Sequence, residues 1–405
     1  MGSDRRHAAD FDPLTSDDPE WVRAEFARLR RDVPVARSEA YGGYWTLTRH
    51  ADVGAAASDS RRFISSVRAV VPSDPRGLRR PPLNFDAPAH TPYRRALDKT
   101  LQRRRLVHLE PALRAHARAA LRPMLEKGGG DIAEEYGVTF PAWMTTEWLN
   151  LDPEVAPMLA ETSFAWVSAW REQDGPTVNV MSERMYGIAR DLVARRQHEP
   201  LDVEIDPASS LLAERFDGEP LAQEQIVGAL RQCLVVGMVA PPIILGSIVR
   251  HLSDDQSLQD RLRHRVADIP AAVEEFVRLY SPYRGFARTV SEPVHLHGRT
   301  IEPDEPVTLA YHAANRDPEV FAEPDRFIID RPNIAEHLGF GRGRHRCAGM
   351  PLARLGLRIE LEELLTATRS FRVSGEARYA RMPEVGLTSV PIVLDAAHGG
   401  ATDER

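Results

Sequence analysis

The chain has 405 residues, 42% hydrophobic and 27% charged, with a mean hydropathy of −0.36. Those values exclude a disordered chain, a collagen-like fibre and a polytopic membrane protein. With 52 basic against 59 acidic residues the formal charge is −7, which argues against nucleic acid as the main partner. Nearly all the positive charge is arginine, since Lys99 and Lys127 are the only lysines. No physical requirement excludes lysine so uniformly, and the pattern reads as coding bias. Cys233 and Cys347 are too few for a disulfide framework, so a reducing cytoplasm is the expected setting. The opening MGSDRRHAADFDP has no apolar core and does not read as a signal peptide.

Asp17, Asp18 and Pro19 announce a first helix, with Trp21, Phe26 and Leu29 on one face. Tyr44 to Thr48 alternates as a strand. Residues 65–92 are proline-rich and aperiodic, a loop long enough to be functional. Helical periodicity then dominates at roughly 93–127, 152–172, 178–197, 221–252 and 270–280. The uncharged stretch Gln232 to Val249 is long enough to span a membrane. Gly237, Pro241, Pro242 and Gly246 inside it favour a buried core helix, and no membrane is expected as a partner. Short strand-like runs follow at Ala287–Val290, Val294–Leu296 and Pro306–Ala310. A glycine-rich loop, a helix over 351–368 and terminal strands complete the chain. With no repeat or linker, residues 1–405 are expected to form one large, mainly α domain with small β-sheets. Residues 1–11 and 397–405 are expected to be flexible.

The most informative segment is Phe340-Gly341-Arg342-Gly343-Arg344-His345-Arg346-Cys347-Ala348-Gly349, leading into a helix at Pro351. Glycines flank a lone cysteine just before a helix N-terminus, where backbone N–H groups and the helix dipole favour thiolate. Such a sulfur is a nucleophile or a metal ligand. The loop resembles the heme-binding signature of the cytochrome P450 family through Phe340, Gly343, His345, Cys347 and Gly349. The resemblance implies heme b with Cys347 as its thiolate ligand, which favours O–O cleavage. It also implies His345 as a propionate contact, with Phe340 packed near the sulfur and Gly341 inside the loop.

Other segments extend the resemblance over most of the chain. Glu275-Phe276-Val277-Arg278 matches the family's Glu-x-x-Arg helix, and Pro324-Asp325-Arg326-Phe327 its Pro-x-Arg-Phe element. Together they imply a buried Glu275–Arg278–Arg326 network. Asp86-Ala87-Pro88-Ala89-His90-Thr91-Pro92-Tyr93-Arg94 resembles a helix start beside the heme, so His90 and Arg94, four residues apart, are expected to donate to propionates. Arg288 falls where the family has a further propionate arginine. Gly356 departs from the family, which usually has an acid there.

A larger departure lies in the long apolar helix. The family's Ala-Gly-x-Asp/Glu-Thr, whose acid and alcohol relay protons, is matched by Val236-Gly237-Met238-Val239-Ala240-Pro241-Pro242. Val239 and Ala240 cannot carry a proton. Pro241 and Pro242 remove two backbone donors. Gly237, Met238, Val239, Ala240 and Pro241 are expected at the distal pocket. Arg76, Arg79, Tyr283, Phe286 and Leu387 are candidates for the substrate pocket, and Phe164, Trp166 and Trp170 either line it or pack between helices.

Three functions follow from the resemblance. The first is a monooxygenase of specialised metabolism, fed by a ferredoxin and its reductase. It would act on a small organic substrate, with aromatic and carboxylate-bearing ones among the options, and with atypical oxygen activation. The second is a non-oxidative heme catalyst (isomerase, dehydratase or nitrene-type transferase). The third is a heme ligand binder without turnover. The partner would dock on a basic face built from Arg94, Arg95, Arg103, Arg104, Arg105, Arg342 and Arg346.

Overall fold

The computed structural model of the chain describes residues 9–72 and 79–397. Helices α1 (Pro19–Asp32), α2 (His50–Ser58), α3 (His90–Thr100), α4 (Arg103–Lys127), α5 (Gly137–Trp148) and α6 (Val155–Arg171) come first. They are followed by α7 (Gly175–His198), α8 (Pro207–Ala213), α9 (Gln223–Asp254), α10 (Gln256–His264), α11 (Ile269–Leu279), α12 (Tyr311–Ala314) and α13 (Met350–Ala367). Local chemistry explains the best-defined ends. Asp18 caps α1 by accepting from the Glu20 N–H at 2.9 Å, with Pro19 in the first turn. Gly128 ends α4 in the left-handed region at φ 74°.

The chain divides into two compact units, and neither is a continuous half of the sequence. The first takes Met1–Thr91, Glu275–Cys347 and Tyr379–Gly386. Its centre is a five-stranded sheet in the order Val35–Ser38, Tyr44–Leu47, Pro306–Leu309, Phe286–Val290, Phe63–Ile64. Tyr44–Leu47 and Pro306–Leu309 run parallel, and the other pairs are antiparallel. Trp45, Leu47, Val53, Phe63, Val290 and Leu309 form the core beneath it. Of residues 1–11, expected to be flexible, 1–8 lie outside the described residues and 9–11 run along the first unit. Asp10 donates its N–H to the Arg37 carbonyl at 2.8 Å, and buried Phe11 packs edge-on against Phe26 and Tyr44. In α1 the buried face carries Val22 with Phe26 and Leu29, while Trp21 is only half-buried.

The second unit takes Pro92–Glu274, Ala348–Arg378 and Leu387–Arg405. The spine is α9, 32 residues packed against α5, α6 and α7. It runs unbroken through Pro241 and Pro242 because its buried positions, Ile226, Leu230, Leu234, Met238, Leu245 and Leu252 among them, hold it on several sides. Long and apolar enough to cross a membrane by composition, its most apolar window is nonetheless 72% buried. A three-stranded antiparallel sheet orders Thr368–Val373, Pro391–Ala396 and Gly129–Asp131. Ala397 donates to the Ala367 carbonyl at 2.9 Å, and the rest of the tail expected to be flexible, 398–405, lies outside the described residues.

Candidate functional site

In the first unit the cysteine loop closes on itself. The Cys347 N–H donates to the Phe340 carbonyl at 2.9 Å, and the Arg346 N–H donates to the Gly343 carbonyl at 3.1 Å. Gly341 and Gly343 both lie at positive φ, 69° and 72°. A Cβ on Gly343 would meet the Ala57 carbonyl oxygen at 2.2 Å, so this loop seats against the end of α2 only with glycine there. The Cys347 thiol is exposed, and α13 begins three residues later with Gly349 at its N-cap. That helix accepts its first turn from Ala353 N–H to the Gly349 carbonyl at 2.8 Å.

His90 and His345 are brought together, their rings edge-on with centroids 4.6 Å apart. His90 is buried, and His345 Nε2 lies 3.7 Å from an Asp86 oxygen. The Asp86 carboxylate also accepts from the backbone N–H groups of Ser65 and Ser66, at 2.9 Å each. Burial alone would raise its pKa. The neighbouring His345 imidazole and the bonds from Ser66 and Ser65 outweigh that and hold it well below the usual carboxylate range. Asp86 thus fastens the start of the long loop to the residue two before Cys347. Arg288 is buried in the strand Phe286–Val290, opposite Val307, and donates to the Ala287 carbonyl at 2.7 Å. Tyr283 and Phe286 stack obliquely at 4.7 Å, and Phe286 lies 6.5 Å from Tyr311, against which Gly341 packs.

The buried ion network of this unit differs from the sequence expectation. Glu275 accepts from Arg278 at 2.7 and 2.8 Å, as expected. Its other guanidinium is that of Arg331, not Arg326. The Arg326 side chain is 70% exposed and pairs with Glu323, and only its backbone carbonyl accepts from Arg278 and Arg331. The turn at 324–331 directs Arg331 inward, and two adjacent buried guanidinium groups already exhaust the single carboxylate. Arg79 braces its own loop by donating to the carbonyls of Ser66 and Asn84. Arg76 lies outside the described residues.

In the second unit Arg94 pairs with Asp98 at 2.8 Å along α3. Of the arginines expected to form a basic face, Arg95 pairs with Glu214, Arg104 with Glu204, and Arg105 with Asn150. The charges of Arg95 and Arg104 are therefore partly neutralised and that of Arg105 is not, while Arg342, Arg344 and Arg346 are exposed on the cysteine loop of the first unit. On α9, Met238 and Val239 are buried, and Val236 is 48% exposed. Gly237, Ala240 and Pro241 are half-buried along the same stripe as Val236. A Cβ on Gly237 would lie 2.7 Å from Thr145 Oγ1, so glycine permits the close approach of α5. Gly356 likewise leaves room for Met144. Leu387 is buried, and its carbonyl packs at Gly246. Trp166 and Trp170 stack at 6.4 Å, and Trp166 carries the buried Arg231 guanidinium over its face at 5.2 Å.

Among the described residues no group of three or more His, Cys, Asp or Glu side chains is arranged to hold a metal ion. A single exposed thiol can bind a metal that arrives in a macrocycle, and buried imidazole and guanidinium donors suit that macrocycle's carboxylates. The donor set of His90, His345, Arg288 and Cys347 fits heme. These features define the protein's class as heme-thiolate.

Comparison with known proteins agrees. The Cytochrome P450 family model matches residues 247–391. The chain is 31% identical over 381 residues to the mycinamicin IV hydroxylase/epoxidase of Micromonospora griseorubida, covering 92% of this chain and 94% of that relative. It is 29% identical over 391 residues to linalool 8-monooxygenase of Pseudomonas putida, covering 91% and 94%. The structure of a cytochrome P450 from Chondromyces apiculatus matches with a TM-score of 0.83 at 26% identity, covering 95% of this chain and 98% of that one. The chain belongs to the cytochrome P450 family. It is an oxidoreductase of the monooxygenase type that binds heme b.

Proposed function

We propose that the protein is a soluble cytoplasmic P450 that hydroxylates or epoxidises an apolar natural product of specialised metabolism, with Cys347 as the thiolate ligand of its heme. The observation carrying this reading is the cysteine loop, whose backbone bonds and glycines present one exposed sulfur ahead of α13. When bound, thiolate-ligated heme supplies activation of dioxygen and insertion of one of its oxygen atoms into a substrate bond. The chain's own residues do the rest. His90, His345 and Arg288 would donate hydrogen bonds to the carboxylates of the group, while Arg94 is paired with Asp98. Phe340 offers its carbonyl to the Cys347 N–H and fixes the loop around the sulfur.

The substrate class is drawn from the relatives, which act on linalool and on a mycinamicin. The apolar side chains exposed on α6 and α9, Phe164 and Val236, are consistent with it. Arg342, Arg344 and Arg346 on the cysteine loop suit docking of an acidic ferredoxin, with reduction slowing as salt rises. A second reading has its own observation: Val239 and Ala240 supply neither acid nor alcohol, which a non-oxidative catalyst would not need.

One experiment addresses both. The purified holoprotein should show the red-shifted ferrous carbonyl band of thiolate ligation, and Cys347→Ser should abolish it. Product from relatives' substrates should require dioxygen and electrons and carry oxygen from the gas. A band that survives in Cys347→Ser sinks the ligand assignment, and product formed anaerobically without reductant sinks the monooxygenase.

A further inference from the structure

Oxygen insertion consumes protons as well as electrons, because the second oxygen atom of the gas leaves as water. Val239 and Ala240 cannot deliver those protons, yet polar groups gather on the flank of the same helix. In the second unit a cavity of about 20 Å³ is lined by Met238, Val239 and Pro242 of α9 and, on its other walls, by Glu134, Arg171 and Thr388. A single water needs roughly 10–15 Å³ of such space and two to four polar partners.

The double proline provides one partner. Pro242 has no N–H to return to the Met238 carbonyl four residues back, so that carbonyl lacks its intrahelical donor. Met238 and Pro242 both wall the cavity from α9, together with Val239 and Ile243. Thr388, whose hydroxyl donates to the Arg378 carbonyl at 3.3 Å, offers its oxygen as an acceptor, and Glu134 offers a carboxyl.

Glu134 is well placed to handle protons. It sits in the short helical turn Ile132–Tyr136, which Asp131 caps by accepting from the Ala133 and Glu134 N–H groups at 3.1 and 3.0 Å. Its side chain is 29% exposed and pairs with Arg378, itself 66% exposed, so one side reaches solvent while the other lines the cavity. The charged groups around it are Asp131 and Glu135 from its own segment, Arg378, and Arg171 of α6, which shares the cavity wall; Glu135 is engaged with Lys127. Partial burial and the Asp131 carboxylate raise its pKa, against the pull of Arg378 and with a further small push from Glu135.

We propose that Glu134 is the proton donor missing from α9, acting through a water held in this cavity by the Met238 carbonyl and the Thr388 hydroxyl. The Glu134 O–H bond breaks as the water gains a proton. The water passes a different proton on, beside α9, to the dioxygen-derived oxygen that leaves as water, and itself returns neutral. The Glu134 carboxylate then takes a proton from solvent at its Arg378 side. No oxidant, reductant or further reactant is needed. This inference rests on the reading of the protein as a dioxygen-consuming monooxygenase.

The test uses the full-length holoprotein, chemically or enzymatically reduced, with dioxygen as the probe and no organic substrate. Glu134→Gln should slow proton-dependent dioxygen consumption about tenfold, less than the loss of a directly placed acid because solvent can leak in. It should also flatten the pH profile and change the solvent isotope effect. Thr388→Val, which keeps the shape, should give a smaller change in the same direction, and Glu134→Asp should recover part of the rate. Independently of turnover, infrared difference spectra of the glutamate-labelled protein should show a carboxyl band that titrates with pH and disappears in Glu134→Gln. Parent-like rate, pH profile and isotope effect in both Glu134→Gln and Thr388→Val overturn the proposal, as does a set of titrating bands identical in parent and Glu134→Gln; the band of buried Glu360 is expected to persist in both. Failure of the monooxygenase reading is visible in a separate run with a relative's substrate, as product formed without dioxygen.

Discussion

Arg331 Nε lies 3.1 and 3.2 Å from the two carboxylate oxygens of Glu275, 56 residues earlier in the chain. Arg278 approaches the same carboxylate, and Arg278 and Arg331 stand over the Phe321 ring at 5.2 and 5.9 Å. Both guanidinium groups spend their remaining donors on carbonyls, those of Asn315 and Pro324 for Arg278 and that of Ala322 for Arg331. The network therefore ties α11 to the irregular segment that leads to the cysteine loop.

Removing Arg331 leaves Glu275 paired with Arg278 but strands the Ala322 carbonyl and takes one of two donors from that of Arg326, at about 1–3 kcal/mol for a buried group left unsatisfied. Arg331→Met should lower the melting temperature sharply and release heme. Arg326→Ala removes an exposed side chain and should shift stability by no more than about 0.5 kcal/mol. Equal losses in the two variants, in parallel melts with heme quantified, would return Arg326 to the network.

Gly343 and Gly341 share positive φ but not their surroundings. Alanine at Gly341 would meet only the Tyr311 ring, at 3.5 Å, and carries the left-handed strain of about 1–2 kcal/mol. At Gly343 the new Cβ would also collide with the backbone of Ala57 and Ser58, which cannot turn aside. Gly343→Ala should therefore lose about 3 kcal/mol or more and fail to retain heme, while Gly341→Ala folds and binds it. Calorimetry and heme content decide, and equal behaviour of the two would show that α2 yields.

These particulars mark where the sequence was legible. Helices α1, α4, α9 and α13 announced themselves through caps, periodicity or an unbroken apolar run, and the cysteine loop through its glycines. Five helices went unread, the four-residue α12 among them. Apolar on nearly every side and interrupted by Pro141, α5 has no polar face to set a period. Short and small-residue-rich α2 has little periodicity, and α8 and α10 are too brief for a strong pattern. Arg331 and Arg326 lie five residues apart in one proline-rich turn, and only its path decides which points inward. Glu134 in Ile132-Ala133-Glu134-Glu135-Tyr136 looks like any surface acid until α6 and α9 close a cavity beside it.

Glu360 on α13 links stability to pH. It is buried, its Oε1 has no hydrogen-bond partner, and burial raises its pKa well above the ordinary 4.5. The folded state thus holds this proton more tightly than the unfolded chain does. Its contribution is complete below about pH 4.5 and is lost as pH rises toward the folded value, at about 1.4 kcal/mol per pH unit within that window. Glu360→Gln keeps the shape and removes the titration. The melting temperature of the variant should gain on that of the parent between pH 5 and pH 8, and parallel pH curves would place the proton elsewhere.

The last prediction concerns Val239 and Ala240. Restoring the family's pair through Val239→Asp with Ala240→Thr puts a carboxylate where Val239 is buried, on the wall that Glu134 and Arg171 share. The carboxylate gains Arg171 as a neighbour but repels Glu134 and loses hydration, and the cavity of about 20 Å³ cannot hold both a rearranged side chain and its water. Threonine at 240 adds volume on the half-buried stripe beside Gly237. The double variant should not raise product formed per electron pair, and its stability should fall by about 1–3 kcal/mol. The measurement is product against electrons consumed, with dioxygen present and absent. A several-fold gain in coupled product would mean that α9 alone once carried the relay and that Glu134 never replaced it. Unchanged anaerobic product without reductant, in parent and variant alike, would mean that no relay is needed. If product requires dioxygen and electrons in the parent and falls in the variant, protons reach the Gly237–Ala240 segment by a route that an acid at 239 obstructs.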